Sequence, residues 1–197
     1  NRLMKTIYDP GWGVVWKIYS KENLRKSLYL PLILTIVSFV VCIFSEKSSL
    51  SLIEYVASTI LSVGPNMLGF TLSGYALMMG LSNSDFIQGL INFKEEGKEY
   101  SLFQSLNTVF AVVLGMMFLT TLVGAFTCVV VEAEISLPER WVDFTNAYNW
   151  FSLFVLIFLM YYTINAIKDI VINIFNFGQY VQVYAENPEE ENEKGSE

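Results

Sequence analysis

Apolar residues in this chain fall into four blocks, and the stretches between and on either side of them hold almost all of the charge. Residues 28–44, 108–131 and 150–167 contain no Asp, Glu, Lys or Arg, and residues 50–81 contain only Glu54. Each block is long enough to cross a hydrocarbon core about 30 Å thick as a helix. The pattern predicts an all-α, polytopic integral membrane protein: a four-transmembrane-helix bundle with a cytoplasmic helical extension. Residues 1–27 are expected to form a cytoplasmic interfacial segment, followed by spans at 28–44 and 50–81 and a cytoplasmic loop at 82–107. Then come a span at 108–131, an acidic periplasmic loop at 132–149, a span at 150–167, a helical extension at 168–185 and an acidic tail at 186–197.

The spans differ in their internal pattern. Pro31 is expected in the first turn of span one, where a missing N–H is harmless. Span two is too long for one upright helix and carries Gly64-Pro65-Asn66 near its middle, so Gly64 and Pro65 are expected to act as a hinge. Along the same span Thr59, Ser62, Asn66, Gly69, Ser73, Ala76, Gly80 and Asn83 recur at alternating spacings of three and four, which makes one small or polar face. Two readings of that face stand side by side. Small-xxx-small pairs let another helix approach closely; alternatively, several copies of the span surround an axis and the stripe lines a water-filled path with Asn66 at its constriction.

A second stripe begins where span four ends. Ile167, Ile170, Ile174, Phe177, Val181 and Tyr184 follow a heptad-like spacing. It is expected either to join subunits or a partner, or to pack on the protein's own inner loop. In that loop Asp85, Phe86, Leu90, Ile91 and Phe93 read as a short amphipathic helix capped by Ser84. Near the start of the chain Val14, Val15, Ile18, Trp12 and Trp16 alternate with Lys17, Lys21 and Arg25. This spacing predicts an amphipathic helix on the inner membrane surface, or a simple basic anchor for span one.

Composition sharpens the reading. The chain is 53% hydrophobic and only 16% charged, so charge is what it lacks relative to soluble domains. The net charge of -7 is concentrated in one tail carrying Glu186, Glu189, Glu190, Glu191, Glu193 and Glu197, which reads as a solvated, disordered run. The final Gly195-Ser196-Glu197 is similar to a tag linker and is given no functional weight. No cleavable signal pattern is present, so insertion is expected to rely on the first span. Direct nucleic-acid binding is not expected. Membrane lipids are the first expected partner.

With an even number of spans, Arg2, Lys5, Lys17, Lys21, Arg25, Lys26, Lys94, Lys98, Lys168 and Lys194 fall on one side. Of the 12 Lys and Arg residues, only Lys47 and Arg140 fall on the other. Such a bias places both termini in the cytoplasm of a bacterial inner membrane. Trp12, Trp16, Trp141 and Trp150 all lie beside predicted spans, where amphipathic rings prefer to sit. The outer loop carries Glu132, Glu134, Glu139 and Asp143 against Arg140, a cation-favouring mouth if a pore exists and otherwise an ordinary solvated loop.

The chain contains no histidine and two cysteines, Cys42 and Cys128, both inside predicted spans. Zinc sites and His-dependent triads therefore lack parts, and no catalytic residue, metal or cofactor is expected. The chain is read as a non-enzyme. Ionisable residues within spans, which mark transporters and proton relays, are almost absent.

Residues 60–76, Ile60-Leu61-Ser62-Val63-Gly64-Pro65-Asn66-Met67-Leu68-Gly69-Phe70-Thr71-Leu72-Ser73-Gly74-Tyr75-Ala76, resemble the glycine-punctuated second span of small multi-span proteins of bacterial anti-phage defence systems. The Kiwa membrane component and the Hailong-type membrane effector are the families concerned. The resemblance implies a homo-oligomer, with a tetramer favoured, that works with a soluble cytoplasmic partner as a membrane sensor or gated channel. A non-conducting anchor for a soluble enzyme is the alternative. The orientation is checked by labelling from outside after Cys42 and Cys128 are replaced by alanine: Ser48→Cys should react and Glu95→Cys should not.

Overall fold

A computed structural model describes residues 12–19, 21–81, 84–94, 100–133, 138 and 141–186. The described residues form helices joined by turns, with no strand: α1 Trp12–Ile18, α2 Lys21–Ile43, α3 Ser49–Leu81, α4 Ser84–Asn92, α5 Leu102–Glu132 and α6 Val142–Glu186. The all-α expectation is met. The acidic tail beyond residue 186, Asn83 and the charged turn at 95–99 lie outside the described residues.

Helix α2 packs antiparallel to α6, α3 antiparallel to α5 and α5 antiparallel to α6, while α3 and α6 run parallel. Along α2 and α6, Ser27 meets Asp169 at one end and Phe39 stacks edge-on against Trp150 and Phe154 at the other. Thr120 of α5 and Thr163 of α6 share a buried hydrogen bond of 2.8 Å. The core is layered along the bundle axis. Ile53, Val56, Ile60, Leu153, Leu156 and Ile157 pack in one layer; Met78, Phe110, Val113, Met117, Ala166 and Ile170 in the next; Phe86, Leu90, Leu102 and Leu106 in the last.

Helices α3 and α5 approach closely, and two glycines set their spacing. A Cβ on Gly64 would lie 2.6 Å from Thr121 Oγ1, and one on Gly124 would lie 2.7 Å from Ile60 Cγ2. Each helix thus offers a bare backbone patch to a side chain of the other, the arrangement by which small residues let helices approach. Helix α3 runs as a single helix through Gly64-Pro65-Asn66. Gly64 has a packing role there that the hinge reading did not anticipate.

Three element boundaries differ from the sequence expectation, each for a local reason. Helix α2 begins at Lys21, so Pro31 sits inside it and not in its first turn. Helix α5 begins at Leu102 because Ser101 and Gln104 form a reciprocal capping box. Helix α6 is 45 residues long, about 68 Å at ~1.5 Å per residue, and absorbs the end of the outer loop, the fourth block and its extension, passing through Gly178. Packing of Phe177 and Tyr180 against Phe86, Leu90, Leu102 and Leu106 offsets the cost of about 1 kcal/mol that Gly178 carries in a helix.

Two helices, Leu102–Glu132 and Phe144–Gln182, are long and apolar enough to cross a membrane, and Ser27–Ile43 is a shorter apolar segment. Helix α3 has the length, at 33 residues, but its serines, threonines, glycines, proline and asparagine dilute its apolarity. Only 33% and 39% of the apolar windows in the two long helices are buried, so they are unlike the core helices of a soluble protein. Val41, Phe118, Phe126 and Phe151 are all more than half exposed, which leaves an apolar surface far beyond what water tolerates on a monomer. That surface points to a membrane protein.

Gly64→Ala and Gly124→Ala should each destabilise the protein by about 1–3 kcal/mol through overpacking. Gly69→Ala, where a Cβ meets nothing within 4 Å, should leave subunit stability unchanged. Denaturation of each variant in detergent measures the difference.

Candidate functional site

Helix α3 has two opposite faces. Ile53, Val56, Ala57, Ile60, Gly64, Thr71 and Met78 are buried at helical spacing and hold α3 in the bundle. The sequence-derived seam lies about half a turn around the helix. There Thr59 is half-buried, and Ser62, Asn66, Gly69, Ser73, Ala76 and Gly80 are all exposed. The structure brings these residues into one continuous stripe and leaves it uncovered by the described helices.

Three donors of the stripe turn back on their own helix. Thr59 Oγ1 donates to Tyr55 O (2.8 Å), Ser62 Oγ to Thr59 O (2.9 Å) and Asn66 Nδ2 to Ser62 O (3.1 Å). Back-bonding of this kind satisfies a donor inside an apolar medium and leaves a smooth outer contour. Beside Thr59 lies a cleft of about 50 Å³, with Val63, Gly64 and Met67 on α3, Thr120 on α5 and Met160 and Thr163 on α6. Of the three threonines that line it, Thr120 and Thr163 bond each other and Thr59 donates to Tyr55 O, so it presents no free polar group to a ligand.

The second stripe divides along its length. Ile170 is buried in the central layer, Ile167 and Phe177 pack against it, and Phe177 also meets Phe86 of α4 edge-on at 5.4 Å. Helix α4 thus covers part of the extension with Phe86 and Leu90, the inner-loop alternative. Ile174 and Val181 stay exposed, and the side chain of Tyr184 lies outside the described residues. Val171, Ile172 and Phe175, which belong to no predicted stripe, are exposed on the same helix. Ile174 reaches to 3.8 Å from the Cβ position of Gly74, so the exposed surfaces of α3 and α6 adjoin.

Sequence reasoning missed a polar junction where the start of α2 meets the middle of α6. Pro31 has no N–H, so the carbonyl of Ser27, four residues earlier, loses its helical partner. Asn165 Nδ2 donates to that carbonyl at 3.1 Å, and Ser27 Oγ donates to Asp169 Oδ2 at 2.9 Å. Tyr19, at the end of α1, is buried beside them. Burial pushes its phenol above the ordinary range, a contact with Ser27 opposes the shift, and the Asp169 carboxylate adds to it. Lys168 Nζ stands 3.7 Å from Asp169 Oδ1. The signal was present in Pro31 four residues after Ser27 and in Asn165 four residues before Asp169, but only docking of α2 on α6 pairs the two.

No group of described side chains could hold a metal ion, and Cys42 and Cys128 are free and partly buried. These features define an all-α protein with two membrane-capable helices, a polar interhelical junction and an unpartnered small-residue stripe. The chain matches no family model, and neither a characterised protein nor a solved structure is similar to it.

Asn165→Leu should destabilise the protein by about 1–3 kcal/mol, because the Ser27 carbonyl is left buried and unpaired. Adding Pro31→Ala restores an N–H four residues on and should recover most of that loss. A double-mutant cycle on unfolding in detergent measures the coupling.

Proposed function

We propose that this protein is a four-span component of the bacterial inner membrane, with both termini cytoplasmic, that self-associates and serves as a membrane sensor or gated channel. The observation that carries the reading is the exposed α3 stripe. It sets Asn66, an amide that hydrocarbon cannot solvate, on an outer face where a Cβ on Gly69 or Gly80 would meet no atom. Another copy of the same stripe would cover it, with a tetramer favoured. The lateral apolar surface of α2, α5 and α6 supports immersion in lipid. The cation bias of the sequence supports the orientation.

The resemblance of residues 60–76 to the membrane components of anti-phage defence systems is the ground for assigning that role. A soluble cytoplasmic partner would then meet the inner surface formed by α4 and the α6 extension, where Val181 remains uncovered. A second reading, a non-conducting anchor or assembly protein, is favoured by the back-bonded Ser62 and Asn66, whose smooth contour suits helix packing. Nothing in either reading calls for catalysis, a metal or a cofactor.

Asn66→Leu and Ser73→Leu separate the two. In a channel, conductance measured with a membrane-potential dye should fall at least about tenfold while native gels show assembly intact. In a packing seam, the same changes disperse the oligomer.

A further inference from the structure

We propose that the inner ends of α1, α2 and α6 form one docking surface for anionic phospholipid headgroups, with Lys17, Arg25 and Lys168 as its cations and Trp16 as its interfacial ring. The proposal rests on the membrane reading above and adds which lipid the protein selects. Lys17 and Arg25 lie close in sequence and Lys168 far along the chain, and three contacts bring the helix ends that carry them to one level of the bundle. Tyr100 Oη donates to the carbonyl of Lys17 at 2.9 Å, fixing the end of α1 against the start of α5. Tyr19 is buried next to Ser27, which ties α1 to α2. Ser27 Oγ bonds Asp169, which brings Arg25 on α2 to the level of Lys168 on α6.

All three cations are exposed, as is Trp16 at 56%. Val15 and Ile18 are half-buried and Tyr19 is buried, so the bundle holds one side of α1 and leaves Trp16 and Lys17 outward. The carboxylate contacting this group, Asp169, is 24% exposed and engaged with Ser27, so it aligns Lys168 more than it cancels the outward field. At the opposite end of the bundle Glu46, Glu54 and Glu132 are exposed beside Lys47, a balance that repels anionic headgroups. Arg25 continues along its own face of α2 into Tyr29 and Ile33, one and two turns on, with Leu30 beside them, all exposed and apolar. A basic surface that continues into an apolar wall fits a lipid, with phosphate at the cations and acyl chains along α2; an acidic protein segment would use only the cations.

The test uses the whole chain with Trp16 as its sole tryptophan, Trp12, Trp141 and Trp150 being replaced by Phe. It is reconstituted in phosphatidylcholine vesicles containing about one fifth brominated phosphatidylglycerol or the same fraction of brominated phosphatidylcholine. Brominated phosphatidylglycerol should quench Trp16 at least about twofold more strongly, and this excess should vanish at high salt and in Lys17→Gln/Arg25→Gln/Lys168→Gln. A variant retaining only Trp150 should be quenched equally by both lipids, and its signal reports insertion of the triple variant as well. Equal quenching of Trp16, with Trp150 still quenched, overturns the lipid preference and leaves the membrane reading standing. Excess quenching that survives in the triple variant also overturns the assignment. Absence of quenching at both tryptophans overturns the two readings together.

Discussion

The carbonyl of Ser27 is the point on which the packing of α1, α2 and α6 turns. Proline at position 31 releases it from the helix, and a released carbonyl in an apolar setting must find a donor within the protein. Asn165 supplies that donor at 3.1 Å. Once Asn165 is committed to α2, Asp169 one turn later reaches the Ser27 hydroxyl, and Tyr19 closes over both. A single backbone defect thus fixes the axial register of α2 on α6 and seats α1 against them.

The remainder of the bundle is fixed by shape. Gly64 and Gly124 bring α3 and α5 close enough for Thr121 and Ile60 to occupy the space of a missing Cβ. Polar pairs supplement that packing at intervals: Tyr75 Oη donates to Asn107 Oδ1 at 2.9 Å, Ser38 and Tyr161 share a bond of 2.8 Å, and Thr120 meets Thr163. Among the described residues no buried side-chain polar atom is left without a partner. Such a bundle resists local rearrangement at its interior. Movement is more readily accommodated where the structure is open, at the outward stripe of α3 and the lower part of α6.

Those two open surfaces adjoin through Gly74 and Ile174, so an oligomer formed on one would extend onto the other. Helix α6 is about 68 Å long, more than twice the thickness of a hydrocarbon core, and Val171, Ile172 and Phe175 lie beyond the charged pair Lys168 and Asp169. Covering them calls for protein if the charged pair marks the inner interface. The α3 stripe and the α6 extension, read separately in the sequence, thereby become parts of one surface in the fold.

Sequence alone determined the helical class, because uncharged blocks of this length admit no other way of satisfying the backbone in lipid. It also determined the periodic stripe of α3, since spacings of three and four place residues on one face whatever surrounds the helix. Phe86 and Leu90 on the short inner helix were legible for the same reason. Only the tertiary structure decided which stripe residues are covered: Ile167 packs against the core and Val181 is exposed, although both hold the same place in the repeat. Only it revealed Gly64 as a contact for Thr121, and the pairing of Ser27 with Asn165, because partners 138 residues apart are chosen by helix docking and leave no periodic trace.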